Sequence, residues 1–140
     1  MILHTGFIEV KTAGKGAYEI TRQVGKVLDE APILSGIVTV FSRHVSASLL
    51  LFENSDRSAR ADLEACFERL VPEGKDCFAH PMKGGDLSSA QVRTALTRSS
   101  EVIPIHEGKM QLGPYQGIFL FEHRGAPRSR TIVVTVMGRE

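Results

Sequence analysis

Much that would make a short chain easy to read is missing from this one. Its 140 residues contain no tryptophan and only two cysteines, Cys66 and Cys77, without CxxC spacing. Nothing calls for a disulfide, and two separate thiols fit a reduced, cytoplasmic setting. No apolar run approaches the roughly 18 residues that a membrane-spanning helix needs. The opening MILHTGFIEVKT has no basic start followed by a long apolar stretch. It reads as a first strand rather than a signal peptide. An excess of one charge is missing too: 17 Lys and Arg stand against 16 Asp and Glu, a formal +1. A nucleic-acid partner, which wants a strongly basic face, is disfavoured by that balance.

The self-sufficient motifs are absent as well. The five histidines, His4, His44, His80, His106 and His123, form no HxxxH or HExxH pair, so no helix carries a ready zinc site. There is no GxSxG elbow for a serine nucleophile. GKGAYE and MKGGDL match neither GxxxxGK[ST] nor GxGxxG, which removes the common nucleotide loops. No repeat, low-complexity segment or linker divides the chain. One domain spanning 1–140 is the expectation.

What is present is a pattern of strands and helices. Residues 3–12 alternate as a strand and end in AGKG, where Gly14 and Gly16 permit a tight turn. In EITRQVGKVLDEA, Ile20, Val24, Val27 and Leu28 recur at i, i+4, i+7 and i+8, one face of a helix that Pro32 closes. GIVTVFS (36–42) and ASLLLFE (47–53) are apolar runs of strand length and should be well buried. Leu63, Phe67 and Leu70 mark the inner face of a second helix, stopped by Pro72 and Gly74. KGGD (83–86) is a loop. A short helix follows, with Ser88 or Ser89 as N-cap and Val92, Ala95 and Leu96 inward. VIPI (102–105), QGIFLFEH (116–123) and TIVVTVMG (131–138) read as strands, the last of them central. In QGIFLFEH, Ile118, Leu120 and Glu122 share one face and Phe119 and Phe121 the other. Strand runs with interspersed helices predict an α+β fold.

The stretch FSRHVSASLLLFEN sets the functional question, because His44 and Glu53 flank an apolar segment that a plain core would not interrupt. His44 is either a hydrogen-bonded strand-end residue or part of a site that converges with His80 of the FAHP loop. Ser46 and Ser48 lie close enough in sequence for a Ser–His pairing, although serine in a strand is more often a plain polar face. Arg124, Arg128 and Arg130 of HRGAPRSR offer planar forks for phosphate or carboxylate, or simply a solvated loop.

HVSAS (44–48), Glu53–Asn54, Asp62, His80, LGPYQGIFLFEHR (112–124) and the closing SRTIVVTVMG together resemble the YjbQ-like family. This family is also catalogued as the secondary thiamine-phosphate synthase group, and the similarity runs from about Phe7 to Gly138 with order and spacing kept. The resemblance implies a mixed β-sandwich packed with two to three helices, usually assembled as a homotrimer. It also implies weak thiamine-phosphate synthase activity in some members. That reaction joins a pyrimidine methyl pyrophosphate to a thiazole phosphate.

The family's site histidines map onto His44 and His80, and the third onto position 91, where this chain has Gln91. Val45, Pro81 and Tyr115 are further departures from the family pattern. The implied catalytic group is His44, His80 and Glu53, with His44 and His80 holding a divalent metal such as zinc. Ser46, Asp62, Gln91, Arg124, Arg128 and Arg130 would contact a small phosphorylated ligand. The alternative is a ligand-binding or scaffold trimer in which catalysis has decayed.

Overall fold

The computed structural model describes residues 1–74, 78, 79 and 85–140. In chain order the elements are β1 (Ile2–Thr12), β2 (Gly16–Glu19), α1 (Thr21–Asp29), β3 (Ser35–Ser42), β4 (Ala47–Glu53) and α2 (Arg57–Leu70). Then come α3 (Leu87–Leu96), β5 (Ser100–His106), β6 (Lys109–Met110), β7 (Gln116–Glu122) and β8 (Arg128–Arg139). The strands form a five-stranded sheet, β1-β8-β3-β5-β6, and a three-stranded sheet, β2-β7-β4. Every named ladder is antiparallel. This is the expected α+β class, two sheets packed together with three helices. β8 lies between β1 and β3, as its apolar run demands. β2 and β6, at four and two residues, are too short to show a period and were not expected.

Period-two alternation sets the core. Val38, Val40, Ile103, Ile105, Ile132, Val134 and Val136 of the large sheet meet Leu49, Ile118 and Leu120 of the small one. α1 adds Val24, Val27 and Leu28, and Ile20 is buried at its N-cap, so the predicted face is the buried one. β7 is covered on both sides. Ile118, Leu120 and Glu122 point into the sandwich, while Phe119 and Phe121 point out toward α2, where Phe67 meets Phe121 edge-on at 5.2 Å.

Two helix faces differ from expectation. Leu70 of α2 is 67% exposed, and only Leu63 and Phe67 of the predicted stripe are half-buried. In α3 the buried residues are Ser89, Ala90, Arg93 and Thr94, whereas Val92, Ala95 and Leu96 face out. The reason is hydrogen bonding. The Arg93 guanidinium donates to Val71 O through Nε (3.2 Å) and Nη2 (2.7 Å), satisfying a carbonyl at the end of α2. The N-cap is Asp86, not a serine. Cys77, His80, Pro81 and the first two residues of the KGGD loop lie outside the described residues.

The outer face of the large sheet carries neutral side chains in cross-strand rows. Register aligns Leu3, Met137, Ile37 and Pro104, then Thr5, Thr135, Thr39 and Val102, then Phe7, Val133 and Phe41. Leu3, Phe7, Phe41 and Val102 are exposed, and such a contiguous apolar surface is rare on a monomer. None of the described helices is long and apolar enough to cross a membrane.

Candidate functional site

Antiparallel pairing brings one set of strand ends together. Glu122 at the end of β7 sits opposite Ala47 at the start of β4 and Gly16 at the start of β2. Thr12 faces Arg128, and Ser42 faces Ile132. His44, Ser46, Glu122, His123, Arg124, Arg128 and Arg130 therefore cluster at one end of the sandwich.

The cluster is organised by a buried ion pair. Arg130 donates through Nε to Glu122 Oε1 (2.8 Å) and through Nη2 to Oε2 (2.5 Å), a fork-to-carboxylate contact. Thr12 Oγ1 also donates to Oε1 (2.7 Å), and the backbone amides of His123 and Arg124 donate to Oε2 (3.1 and 3.2 Å). Burial by itself raises the pKa of a carboxyl. The bonds from Arg130, Thr12 and the Arg124 amide prevail, and Glu122 is held below the ordinary carboxylate range. With five donors around two oxygens, Glu122 is fully engaged and acts as a scaffold. Arg130 Nη2 further reaches Ser46 Oγ (2.9 Å), tying β8 to the start of β4.

His44 is fixed from the other side. The backbone amide of Thr131 donates to its Nε2 at 2.9 Å, so that nitrogen is an acceptor and Nδ1 carries the proton of the neutral ring. Burial and then the nearby Arg130 charge lower its pKa from 6.5, which keeps the ring neutral at pH 7. His44 is half-buried and presents an N–H donor.

On the outward side of β7, His123 is almost fully buried, its ring tilted at 60° against Phe121 with centroids 4.5 Å apart, and its Nε2 2.8 Å from Ser48 Oγ. Thr97 Oγ1 donates to Ser48 Oγ at 2.6 Å. Burial, then Arg93, pushes the His123 pKa down to about 3. His123, Glu122, Arg93, Lys15, Glu68, Phe67 and Phe121 line a cavity of about 270 Å³. The serine–histidine contact in this chain is thus Ser48–His123, not a pairing with His44. Ser48 Oγ is enclosed on all sides, with the residue 0% exposed, so no carbonyl can reach it.

The other expected site residues are scattered. Glu53 lies at the far end of β4, opposite Gln116, about 20 Å from Ala47 at ~3.3 Å per residue. Its carboxylate accepts from the Ser55 amide at 2.7 Å, so it does not orient His44. Asp62 is exposed on α2, and Gln91 is half-buried on α3. Arg124 is held by Asp86 (2.6 Å), and Arg128 is exposed beside the cluster. His80 lies outside the described residues.

Residues 7–139 match the family described as UPF0047 protein YjbQ-like. The chain belongs to that family. Its relatives include the UPF0047 protein of Synechocystis sp., 39% identical over 135 residues, which cover 96% of this chain and 92% of that protein. YjbQ of Escherichia coli is 33% identical, with 94% and 95% covered. The crystal structure of an uncharacterized conserved YjbQ/UPF0047 protein from Clostridium acetobutylicum matches with a TM-score of 0.87 at 31% identity, covering 94% of this chain and 99% of that one.

A metal held by His44, as the family resemblance implies, can be tested against this geometry. A ligating imidazole needs a bare nitrogen. In this YjbQ-like chain Nε2 of His44 already accepts from Thr131, and Nδ1 is then protonated. His44 does not fit the role of ligand without losing that bond. Among the described residues, no three His, Cys, Asp or Glu converge on a metal position.

Proposed function

We propose that this YjbQ-like chain is a thiamine-phosphate synthase-like transferase that handles its phosphorylated substrate at the His44 end of the sandwich. The observation that carries this reading is the Thr131 amide bond to His44 Nε2, which leaves Nδ1–H as a fixed donor in a strand-end cluster with Arg43 and Arg128 exposed alongside. In the reaction the thiazole nitrogen forms a bond to the pyrimidine methylene. The methylene–oxygen bond breaks, and pyrophosphate leaves with the electron pair. Catalysis by this chain consists of donors aimed at the departing charge. His44, Arg43 and Arg128 are placed to do so, because Arg124 and Arg130 are already paired with Asp86 and Glu122.

His44→Asn should lower kcat/KM for the coupling of the two substrates about 100-fold, with an unchanged melting temperature. Full activity in that variant would remove His44 from the reaction. Absence of turnover by the native protein would leave the second reading, a ligand-binding scaffold. That reading is favoured by Glu122, whose carboxylate has no acid–base freedom, and by Gln91, whose amide transfers no protons near pH 7.

We further propose that the neutral rows on the outer face of the large sheet are buried against other copies of the chain in a homotrimer. Light scattering should give a trimer mass for the native protein and a monomer mass for Phe41→Glu. A native monomer would defeat the idea.

A further inference from the structure

We propose a second anion site, in the recess between α2 and β2, that takes the phosphate or diphosphate group of a small organic phosphate. Arg57 and Arg60, three residues apart on α2, line this recess of about 260 Å³ with Ala17, Ala61 and Glu64. The spacing puts both arginines on one helix face, and the two alanines leave the room.

Arg60 is the central residue. Its guanidinium carbon lies 5.3 Å from the Phe119 ring centroid, so one face of the fork rests on the aromatic ring and its orientation is set. Its Nε is buried and donates to no acceptor among the described residues. Native structures leave few such groups unsatisfied, and a bound ion is one of the recognised reasons for one. The neighbouring carboxylate does not fill the role. Glu64, one turn on from Arg60, turns Oε1 to the Ala17 amide at 3.1 Å, and it makes no ion pair with either arginine.

A guanidinium held flat on an aromatic ring and backed by a second arginine one turn away is an arrangement suited to a phosphate. The recess is smaller than the roughly 300–1,000 Å³ of pockets that swallow whole ligands, which suits a phosphoryl group rather than an entire cofactor. Ala61 and Glu64 also border the His123 cavity, where Phe67 and Phe121 offer an apolar wall for the organic part. The site lies about 10 Å along β7 from Glu122, counting three residues from Phe119 at ~3.3 Å each. It is therefore separate from the His44 donors.

The test is titration of the native protein with sodium pyrophosphate at constant ionic strength, followed by calorimetry and by the rise in melting temperature. Arg57→Gln and Arg60→Lys should each weaken one class of pyrophosphate sites about tenfold, and His44→Asn should change the affinity of that same class less than twofold. Arg60→Lys keeps the charge and the apolar stem but loses the fork, so its unliganded melting temperature should match the native value. Native affinity in both arginine variants would overturn the site. So would absence of binding to the native protein. Loss of binding confined to His44→Asn would place the anion at the strand-end cluster, overturning this inference and leaving the functional reading intact.

Discussion

Glu122→Ala should destabilise the fold by about 3–5 kcal/mol, the cost of leaving a buried charge without its partner. Arg130, 6% exposed, would keep its cation between the sheets with only Ser46 to receive it. The Arg124 amide would lose its acceptor, and Thr12 and the His123 amide would keep only their longer bonds to Arg128 O and Ser46 O. Domains of this size have about 5–15 kcal/mol in total, so the variant should melt well below the native protein in urea and on heating. Glu122→Leu combined with Arg130→Met should recover most of the loss, because it removes both charges together.

The same pair predicts the response to acid. The pKa of Glu122 is lowered on folding, so its stabilisation is complete above the unfolded value of 4.5 and is lost as pH falls below it. His123 begins the decline earlier. The unfolded chain takes up a proton below about pH 6.5 that the folded His123, at about 3, refuses. Denaturation at a series of pH values should show stability falling from pH 6.5 and more steeply below 4.5. In Glu122→Gln the steeper part should become shallower. The remainder is carried by Asp86 and Glu68, whose carboxyls, despite partial burial, are also held below the ordinary range by Arg124 and Arg93. A native curve flat down to pH 4 would contradict both assignments.

Gly36→Ala should be as damaging, through backbone sterics instead of charge. A Cβ at Gly36 would stand 2.0 Å from Met137 O and 2.7 Å from Gly138 Cα. One at Gly138 would stand 2.2 Å from Ser35 O. These are backbone atoms of interior strands, paired on both sides in β8 and β3, and they have nowhere to move. A loss of about 4 kcal/mol or more, at the exceptional end for one substitution, is expected in chemical denaturation. Gly25→Ala is the control. Its Cβ meets only Met110 Cε at 3.9 Å, and alanine favours a helix by roughly 0.5–1 kcal/mol. A Gly36→Ala protein as stable as that control would mean that β3 and β8 do not approach as described.

How much of this was legible beforehand varies with the physics involved. ASLLLFE became β4 with its ends as expected, because a continuous apolar run of that length has few other homes. The face of α1 was equally plain, since Ile20, Val24, Val27 and Leu28 leave one stripe to bury. α3 was misread because its buried face carries Arg93 and Thr94. Their burial depends on carbonyls at Val71 and Ala90, and a propensity argument cannot see partners so far along the chain.

Which candidate residues share one end of the sandwich was partly legible, and how they connect was not. His44, Ser46, Arg124, Arg128 and Arg130 do gather at one strand end, whereas Glu53 went to the opposite end of the same strand. From the sequence Ser48 reads only as a partner for His44, and His123 only as one of five histidines, while Arg93 and Thr12 give no functional signal. One signal was available for Glu122: it shares the inward face of β7 with Ile118 and Leu120. A carboxylate placed there requires a buried cation, which Arg130 supplies.

The order of strands and helices, the α+β class and membership of the YjbQ-like family all reside in local patterns along the chain, because periodicity and motif spacing are properties of neighbours. The tautomer of His44, the engagement of Glu122, the burial of Ser48 and the orphaned Nε of Arg60 were decided only by tertiary structure. Each depends on which donors meet which acceptors across strands that pairing brings together from distant parts of the chain.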